Sequence, residues 1–274
     1  MTVYEIPTTL SPSRVEAFLS CPLAFRFRSL DGLPDPPTVP ALRGTMVHRA
    51  LELFHSDLDS ARDQARLKRS VDEMLKEFID HPDVTQLNLV GPAYEDLSKQ
   101  CHRLAIGILE MEDPESVDPV GLEMRVEATV GPVSLRGIID RLERAEDGSL
   151  IVTDYKTGRA PGAGYERKAL GGVHLYSLLC ELTMNERPGL VRLMYVSSKE
   201  TITDRPTEQS NRYMAQRVTA VHGAIEQSCR SGEFRAKKSA LCKFCAYQPW
   251  CPAFGGDPER ATIEAPVVLS ARSS

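Results

Sequence analysis

A predicted β-hairpin in the middle of the chain constrains the fold more than any other feature. Apolar runs predict antiparallel strands over residues 133–143 and 150–156, and an Asp-Gly pair in the polar segment between them favours a tight turn. Asp140 and Asp154 each follow an apolar run in these strands. Pairing across the turn would therefore bring the two carboxylates close together.

The charged side chains of this hairpin predict a divalent metal site. Two carboxylates that share a site repel one another unless a cation lies between them. Because side chains alternate along a strand, Lys156 shares a face with Asp154 while Tyr155 points away. A lysine beside a bound ion can orient and help deprotonate an attacking water, so Asp140, Asp154 and Lys156 are the predicted catalytic residues of a phosphodiester-cleaving site. The alternative is a hairpin with solvated charges, which is more common in proteins generally.

Three cysteines near the C-terminus form a second candidate metal site. Cys242, Cys245 and Cys251 have the spacing C-x2-C-x5-C, and Cys21 is the candidate fourth ligand. Four thiolates hold either a tetrahedral zinc ion or an iron–sulfur cluster. The single remote ligand favours a cluster, because zinc ribbons usually present two close C-x2-C pairs, and zinc is the alternative. The remaining cysteines lie beside apolar residues in helical patterns and are predicted to be buried: Cys101, Cys180 and Cys229.

In their order and spacing, these features resemble the RecB-family nucleases of the PD-(D/E)XK superfamily, in the iron–sulfur branch that includes AddB and the CRISPR adaptation nucleases. The resemblance covers most of the chain. It is carried by Leu10-Ser-Pro-Ser13, Cys21-Pro22, Gly44-Thr-Met-Val-His48, Gly137-Ile-Ile-Asp140, Asp154-Tyr-Lys156-Thr-Gly158 and the three C-terminal cysteines. Each segment alone has weak or moderate specificity, whereas the set as a whole is specific.

The resemblance assigns roles to individual residues. It implies that Mg²⁺ or Mn²⁺ is held by His48, Asp140, Asp154 and the carbonyl of Tyr155, and that Lys156 serves the attacking water. It also implies a [4Fe-4S] cluster on Cys21, Cys242, Cys245 and Cys251. From the residues alone, a single histidine on a helix is more often a surface residue. Gly44, one turn before His48, would nevertheless let a metal or a DNA backbone approach closely.

One position departs from the family pattern. Tyr176 matches a substrate-binding tyrosine on the helix after the Asp-x-Lys strand, but the glutamine usually found four residues earlier is replaced by Gly172. This difference bears on how DNA is oriented over the metal and leaves the metal ligands unchanged.

The formal net charge of −5 excludes a protein whose whole surface is positively charged. A local basic groove is enough to bind a nucleic acid strand. The predicted substrate contacts near the N-terminus are Arg26, Arg28 and Arg43. A second basic group lies beside the cysteine motif and consists of Arg230, Arg235, Lys237, Lys238 and Lys243.

The periodicity predicts an α/β fold, with a mixed β-sheet core flanked by helices. Four regions are expected: an N-terminal helical region over residues 1–113, a nuclease core over 114–231, an iron–sulfur lobe over 232–256 that packs on the N-terminus, and a mobile tail over 257–274. The predicted strands cover residues 121–130, 133–143, 150–156 and 190–197, and a crossover helix covers residues 166–184.

Together these features predict a cytoplasmic, metal-dependent DNA exonuclease that acts on single-stranded ends in repair or recombination. No apolar run approaches membrane-spanning length. The chain lacks a phosphate-binding G-x-x-x-x-G-K-[ST] loop, so any helicase would be a separate partner. The alternatives are a non-catalytic iron–sulfur subunit that binds DNA within a repair complex, and a DNA sensor that responds to the redox state of its cluster.

Overall fold

The structure is a computed structural model that describes residues 4–57 and 61–271. The chain forms two compact units, each built from separate stretches. Unit 1 consists of residues 1–36, 129–136 and 215–274, and unit 2 consists of residues 37–128 and 137–214. Among the described helices, none combines the length and the apolar character needed to cross a membrane.

The helices and strands are numbered in chain order. The helices are α1 Pro12–Ser20, α2 Pro22–Phe25, α3 Val39–Ser56, α4 Gln64–Phe78, α5 Pro82–Gln86, α6 Pro92–Ile106, α7 Glu166–Ala169, α8 Gly171–Met184, α9 Glu208–Ser231 and α10 Pro258–Ala271. The strands are β1 Thr9–Leu10, β2 Asp118–Val130, β3 Val133–Arg144, β4 Leu150–Lys156, β5 Leu190–Tyr195 and β6 Glu200–Asp204.

Unit 2 contains a mixed sheet built on the predicted hairpin. β3 pairs with β2 and, antiparallel, with β4; β5 lies parallel to β4, and β6 lies antiparallel to β5. A parallel pair requires a crossover connection, which α8 provides between β4 and β5. The predicted α/β fold, with a mixed sheet flanked by helices, is therefore confirmed.

The apolar core of unit 2 joins its N-terminal helices to the sheet. Val47 and Leu51 of α3 are fully buried, and the same core includes Tyr155 of β4 and Met194 of β5. For this reason residues 37–113 group with the α/β core and not with a separate region over residues 1–113.

Unit 1 brings the two ends of the chain together. α1 begins after Ser11, whose hydroxyl accepts a hydrogen bond from the backbone N–H of Arg14 at 3.2 Å. The Lys237 ammonium donates to the carbonyl of Leu19 at 2.8 Å. The cysteine lobe over residues 232–256 thus contacts the segment that ends α1.

The C-terminal segment is helical up to the last described residue. Where a mobile tail over residues 257–274 was expected, the structure has helix α10, and residues 272–274 lie outside the described residues. Ala261 and Ala265 bury one side of α10, and Trp250 Nε1 donates to Glu264 at 2.9 Å. The expected mobility of this segment rests on the polar and small side chains that follow Asp257 in the sequence, and it stays a prediction.

Candidate active site

The hairpin formed by β3 and β4 brings the two predicted aspartates together. Arg141 pairs with Thr153 in the antiparallel register, so the next step of the ladder places Asp140 beside Asp154. Asp140 Oδ2 accepts a hydrogen bond of 2.7 Å from the backbone N–H of Tyr155. The carboxylate of Asp140 is therefore fixed against the backbone of the neighbouring strand.

Lys156 lies beside Asp154 on the same face of β4. Its ammonium forms an ion pair with the Asp154 carboxylate, which is only 8% exposed. Burial and the nearby Asp140 raise the pKa of Asp154 to about 6, whereas Lys156 opposes this shift. The Asp154 carboxylate thus carries a charge that it would lose easily without a cation nearby.

His48 of α3 lies against the end of β4. Its Nε2 donates to the carbonyl oxygen of Tyr155 at 3.0 Å, and its Nδ1 lies 3.4 Å from Asp140 Oδ2. A Cβ on Gly44, one turn earlier, would lie 3.3 Å from Thr157 Oγ1, so the small residue permits the close approach of α3. Four predicted residues, His48, Asp140, Asp154 and Lys156, with the carbonyl of Tyr155, are brought together.

Sequence reasoning missed Glu123 of β2. Glu123 Oε1 lies 3.8 Å from His48 Nδ1. Within residues 4–57 and 61–271, the group of candidate metal-ligand atoms that lie within 4.8 Å of one another comprises His48, Glu123 and Asp140. Glu123 has a backbone φ of 43°, which is strained for a residue other than glycine. No sequence pattern in β2 predicts a positive φ at Glu123.

The carboxylates of the site stabilise a positive charge on His48. Burial alone would lower the pKa of His48, but hydrogen bonds to Asp140 and Glu123 raise it to about 10. The imidazolium therefore lies among two carboxylates and the carbonyl of Tyr155. Carboxylate and carbonyl oxygens with one imidazole form a donor set that Mg²⁺ or Mn²⁺ accepts, so the residues fit such an ion.

Tyr176 of α8 packs against β3. A Cβ on Gly137 would lie 2.6 Å from Tyr176 Cε1, so only glycine at this position of β3 leaves room for the ring. Burial raises the pKa of the Tyr176 phenol, and the charges of Asp154 and Asp140 raise it further. The phenol thus stays protonated and lies within the electrostatic field of both carboxylates.

The predicted arginine contacts differ in their accessibility. Arg26 is only 4% exposed and pairs with Asp31 at 3.0 Å and with Glu259 at 3.1 Å. Its guanidinium is satisfied inside unit 1, so its burial argues against the predicted contact with a substrate. Arg28 is exposed and pairs with Asp35, and Arg43 donates to the side chain of Gln100 at 2.6 Å.

A buried ionic network lies on the opposite face of the hairpin. Arg141, which follows Asp140, is fully buried and forms two hydrogen bonds with Glu112. Its guanidinium carbon lies 5.4 Å from the centre of the Tyr155 ring, and its Nη1 donates to His55 Nε2 at 3.0 Å. Arg141, which alternates with Asp140 along β3, is therefore fixed by ionic contacts on the face opposite the candidate site.

This network predicts a pH-dependent stability that comes from His55. Burial, followed by the charge of Arg141, lowers the pKa of His55 to about 2, so the folded protein keeps a neutral imidazole that the unfolded chain protonates below its ordinary pKa. Stability is therefore complete above that ordinary pKa and falls as the pH drops below it. Between pH values of about 7.5 and 5.5, His55 should remove about 1.4 kcal/mol from the free energy of unfolding.

The matched variant is His55→Gln, which keeps an acceptor for Arg141 but does not titrate. Urea unfolding of both proteins at the two pH values measures the difference. Parallel pH profiles for the wild type and the variant would show that His55 does not cause the loss.

The four predicted cluster cysteines line one cavity in unit 1. Cys21, Cys242, Cys245 and Cys251 surround it together with Lys238 and other residues. Burial raises the pKa of Cys245, and the other three thiols raise it further. In the described part of the chain, no three of these sulfurs lie within 4.8 Å of one another, so the thiols are not arranged into a metal site. The other cysteines are fully buried, as predicted: Cys101, Cys180 and Cys229.

The fold of this chain is that of a known superfamily of nucleases. The sequence profile of the PD-(D/E)XK nuclease superfamily matches residues 9–252, and the chain belongs to this superfamily. The predicted superfamily is thereby confirmed, and its members use divalent metals.

Individual relatives cover this chain to different extents. The chain is 25% identical to the Gene 69 protein of Mycobacterium phage D29, over 93% of this chain and all of that protein. It is 31% identical to one subunit of the ATP-dependent helicase/deoxyribonuclease of Streptococcus mutans, over 56% of this chain but only 14% of that relative. It shares its fold with a candidate exonuclease from Eubacterium rectale, with a TM-score of 0.54, 11% identity and 88% coverage of each chain.

Proposed function

We propose that this protein is a divalent-metal-dependent DNA exonuclease that acts on single-stranded ends. The observation that carries the proposal is the convergence of His48, Glu123 and Asp140 beside the ion pair of Asp154 and Lys156. The word deoxyribonuclease in the name of the streptococcal relative supports DNA as the substrate. That name also supports a separate helicase as a partner.

The ion, Mg²⁺ or Mn²⁺, would be held by His48, Asp140, Asp154 and the carbonyl of Tyr155, with Glu123 as an additional ligand. When bound, it polarises the scissile phosphate and acidifies the attacking water. Because His48 is protonated without the ion, it must release its proton before its nitrogen can act as a ligand.

The remaining residues position the substrate and steady its charge. The Lys156 ammonium is held by Asp154, from where it orients the water and stabilises negative charge that develops on the phosphate. Tyr176, fixed against Gly137, supports the nucleotide strand beside the carboxylates. Burial of Asp154 strengthens these interactions, since charges act more strongly where water is excluded.

For unit 1 we propose a [4Fe-4S] cluster on Cys21, Cys242, Cys245 and Cys251. All four thiols line one cavity, and the single remote ligand Cys21 favours a cluster over a zinc ribbon, which usually presents two close C-x2-C pairs. The cluster would link chain segments more than two hundred residues apart. The entropy cost of closing a loop increases with its length, so a cross-link stabilises a long loop most. Visible absorbance after anaerobic purification, compared with a colourless zinc protein, tests this assignment.

The activity is tested by incubating the anaerobically purified protein with end-labelled linear and with closed circular single-stranded DNA. Mg²⁺ or Mn²⁺ should support release of nucleotides from the linear strand only, because a circle has no ends. Cleavage of the circle would contradict exonuclease action. Retained DNA binding with no cleavage under either ion would instead favour a non-catalytic protein that binds DNA within a larger complex.

The family pattern has a glutamine at the position of Gly172, and this residue can be restored by mutation. A Cβ on Gly172 meets no atom within 4 Å, so Gly172→Gln introduces no clash in α8. We expect this variant to lower the KM for single-stranded DNA by a few-fold and to stabilise α8 by about 0.5 kcal/mol, since glycine is a poor helix former. Gly172→Ala is the matched control, because it should improve stability alone. Equal KM values for the two variants would show that the side-chain amide does not contact DNA.

A further inference from the structure

The cysteine lobe exposes aromatic and cationic side chains together. Phe244 is 76% exposed and Phe254 is 48% exposed. The Lys243 ammonium lies 4.9 Å from the centre of the Phe244 ring, and the Lys238 ammonium lies 5.2 Å from the centre of the Phe254 ring. Each exposed ring is thus paired with a lysine, and we call these four side chains the aromatic–cationic surface.

The sequence segment that carries this surface has a net charge opposite to that of the whole chain. Residues 235–256 contain four basic and no acidic residues, although the chain has a formal net charge of −5. One of the four, Lys237, is engaged with the carbonyl of Leu19. Lys238 and Lys243 remain beside the exposed rings, where they would attract an anionic partner.

The side-chain composition distinguishes between two kinds of partner. The centres of protein–protein interfaces are enriched in aromatic residues but depleted of lysine. Surfaces for single-stranded nucleic acid combine aromatic rings, on which bases stack, with cations that contact the backbone. A lysine over each exposed ring corresponds to the second pattern.

We propose that the aromatic–cationic surface binds single-stranded nucleic acid. Bases stack on Phe244 and Phe254, and the ammonium groups of Lys243 and Lys238 move from the ring faces to the phosphates. This inference rests on the proposed function for its substrate class, but it concerns a site in unit 1 that takes no part in hydrolysis.

The test measures binding of labelled oligothymidylate to the full-length protein without added divalent ions, so that affinity is separated from cleavage. Phe244→Ala should weaken binding about tenfold, because stacking on an aromatic ring contributes this order of affinity per base. Phe244→Tyr should retain the affinity. Ile263→Ala is the matched control, because Ile263 is also 76% exposed in unit 1, and its removal should leave the affinity unchanged.

The cationic contribution is tested independently through salt dependence. Lys243→Gln should reduce the slope of log affinity against log salt concentration by roughly 0.7, the value for one phosphate contact on a single strand. Phe244→Ala should leave the slope unchanged. Lys68→Gln, which removes an exposed lysine from α4, is the charge control.

Three results would overturn the proposal: no oligonucleotide binding by the wild type, unchanged affinity in Phe244→Ala together with an unchanged slope in Lys243→Gln, or equal losses in the control variants. The second result would indicate a surface for another kind of partner. Binding by the wild type without degradation in Mg²⁺ or Mn²⁺ would contradict the proposed nuclease function. If Phe244→Ala and Lys243→Gln then show their expected losses, the binding surface is supported on its own.

Discussion

Replacing Asp154 by asparagine is expected to reduce DNA cleavage by roughly 1000-fold, the order of effect seen when one group that stabilises transition-state charge is removed. The amide has nearly the shape of the carboxylate but lacks the charge that would hold the ion and that fixes Lys156. The fold should survive, because the raised pKa of Asp154 shows that burial and Asp140 already disfavour its charge. Without divalent ions, the variant should therefore be at least as stable as the wild type.

The two parts of this prediction are measured separately. Release of label from single-stranded DNA in Mg²⁺ or Mn²⁺ reports cleavage, and urea unfolding in a chelator reports stability. Asp80→Asn, which neutralises an exposed aspartate after α4, controls for the loss of one negative charge. Cleavage by Asp154→Asn within tenfold of the wild type would exclude the proposed role of this carboxylate.

The hairpin of β3 and β4 could be predicted because its signals are local. Two apolar runs and an Asp-Gly turn determine the pairing of β3 with β4, and strand periodicity places Lys156 on the face of Asp154. Gly137 and Gly44 were recognised as parts of the resemblance. At Gly44 the sequence predicts room for a metal or a DNA backbone, whereas the atom that a Cβ would meet there is the Thr157 hydroxyl oxygen. At Gly137 a Cβ would meet the Tyr176 ring.

Other features depend on contacts between distant parts of the chain and left no local signal. The strand β6 is short and polar, so it lacks the apolar alternation that predicts a strand. The grouping of α3 to α6 with the sheet arises from a shared core that includes Tyr155 and Met194. The burial of Arg26 likewise depends on Glu259, a partner 233 residues away in the sequence.

Glu123 is the clearest case of a site residue that could not be predicted from the sequence. It lies in β2 among alternating charged and apolar residues, and its position at the site depends on a left-handed backbone conformation with φ of 43°. For a residue other than glycine, this conformation costs roughly 1–2 kcal/mol. Strain of this kind persists where the surrounding structure imposes it, and such positions cluster at functional sites.

Two substitutions separate the carboxylate of Glu123 from its backbone strain. Glu123→Gln keeps the strain and removes the charge, whereas Glu123→Gly removes both. Both variants should need about 10–100-fold more Mg²⁺ or Mn²⁺ for half-maximal cleavage, an effect typical of groups that orient or supplement metal ligands. Glu123→Gly should also be about 1 kcal/mol more stable than Glu123→Gln, since glycine adopts positive φ without a steric penalty.

If Glu123→Gly is more stable than Glu123→Gln and both variants need more metal, Glu123 serves the metal site and not only the packing of β2. If Glu123 were only a structural residue, its removal would lower the free energy of unfolding and leave the metal requirement unchanged. Glu73→Gln, which changes an exposed residue of α4, is the control and should leave the metal requirement at the wild-type value. Titration of cleavage with Mn²⁺, together with urea unfolding of all three variants, measures both quantities. A metal requirement that stays at the wild-type value in Glu123→Gln would show that the strained conformation does not serve the metal site, because that variant changes little except the charge facing His48 and Asp140.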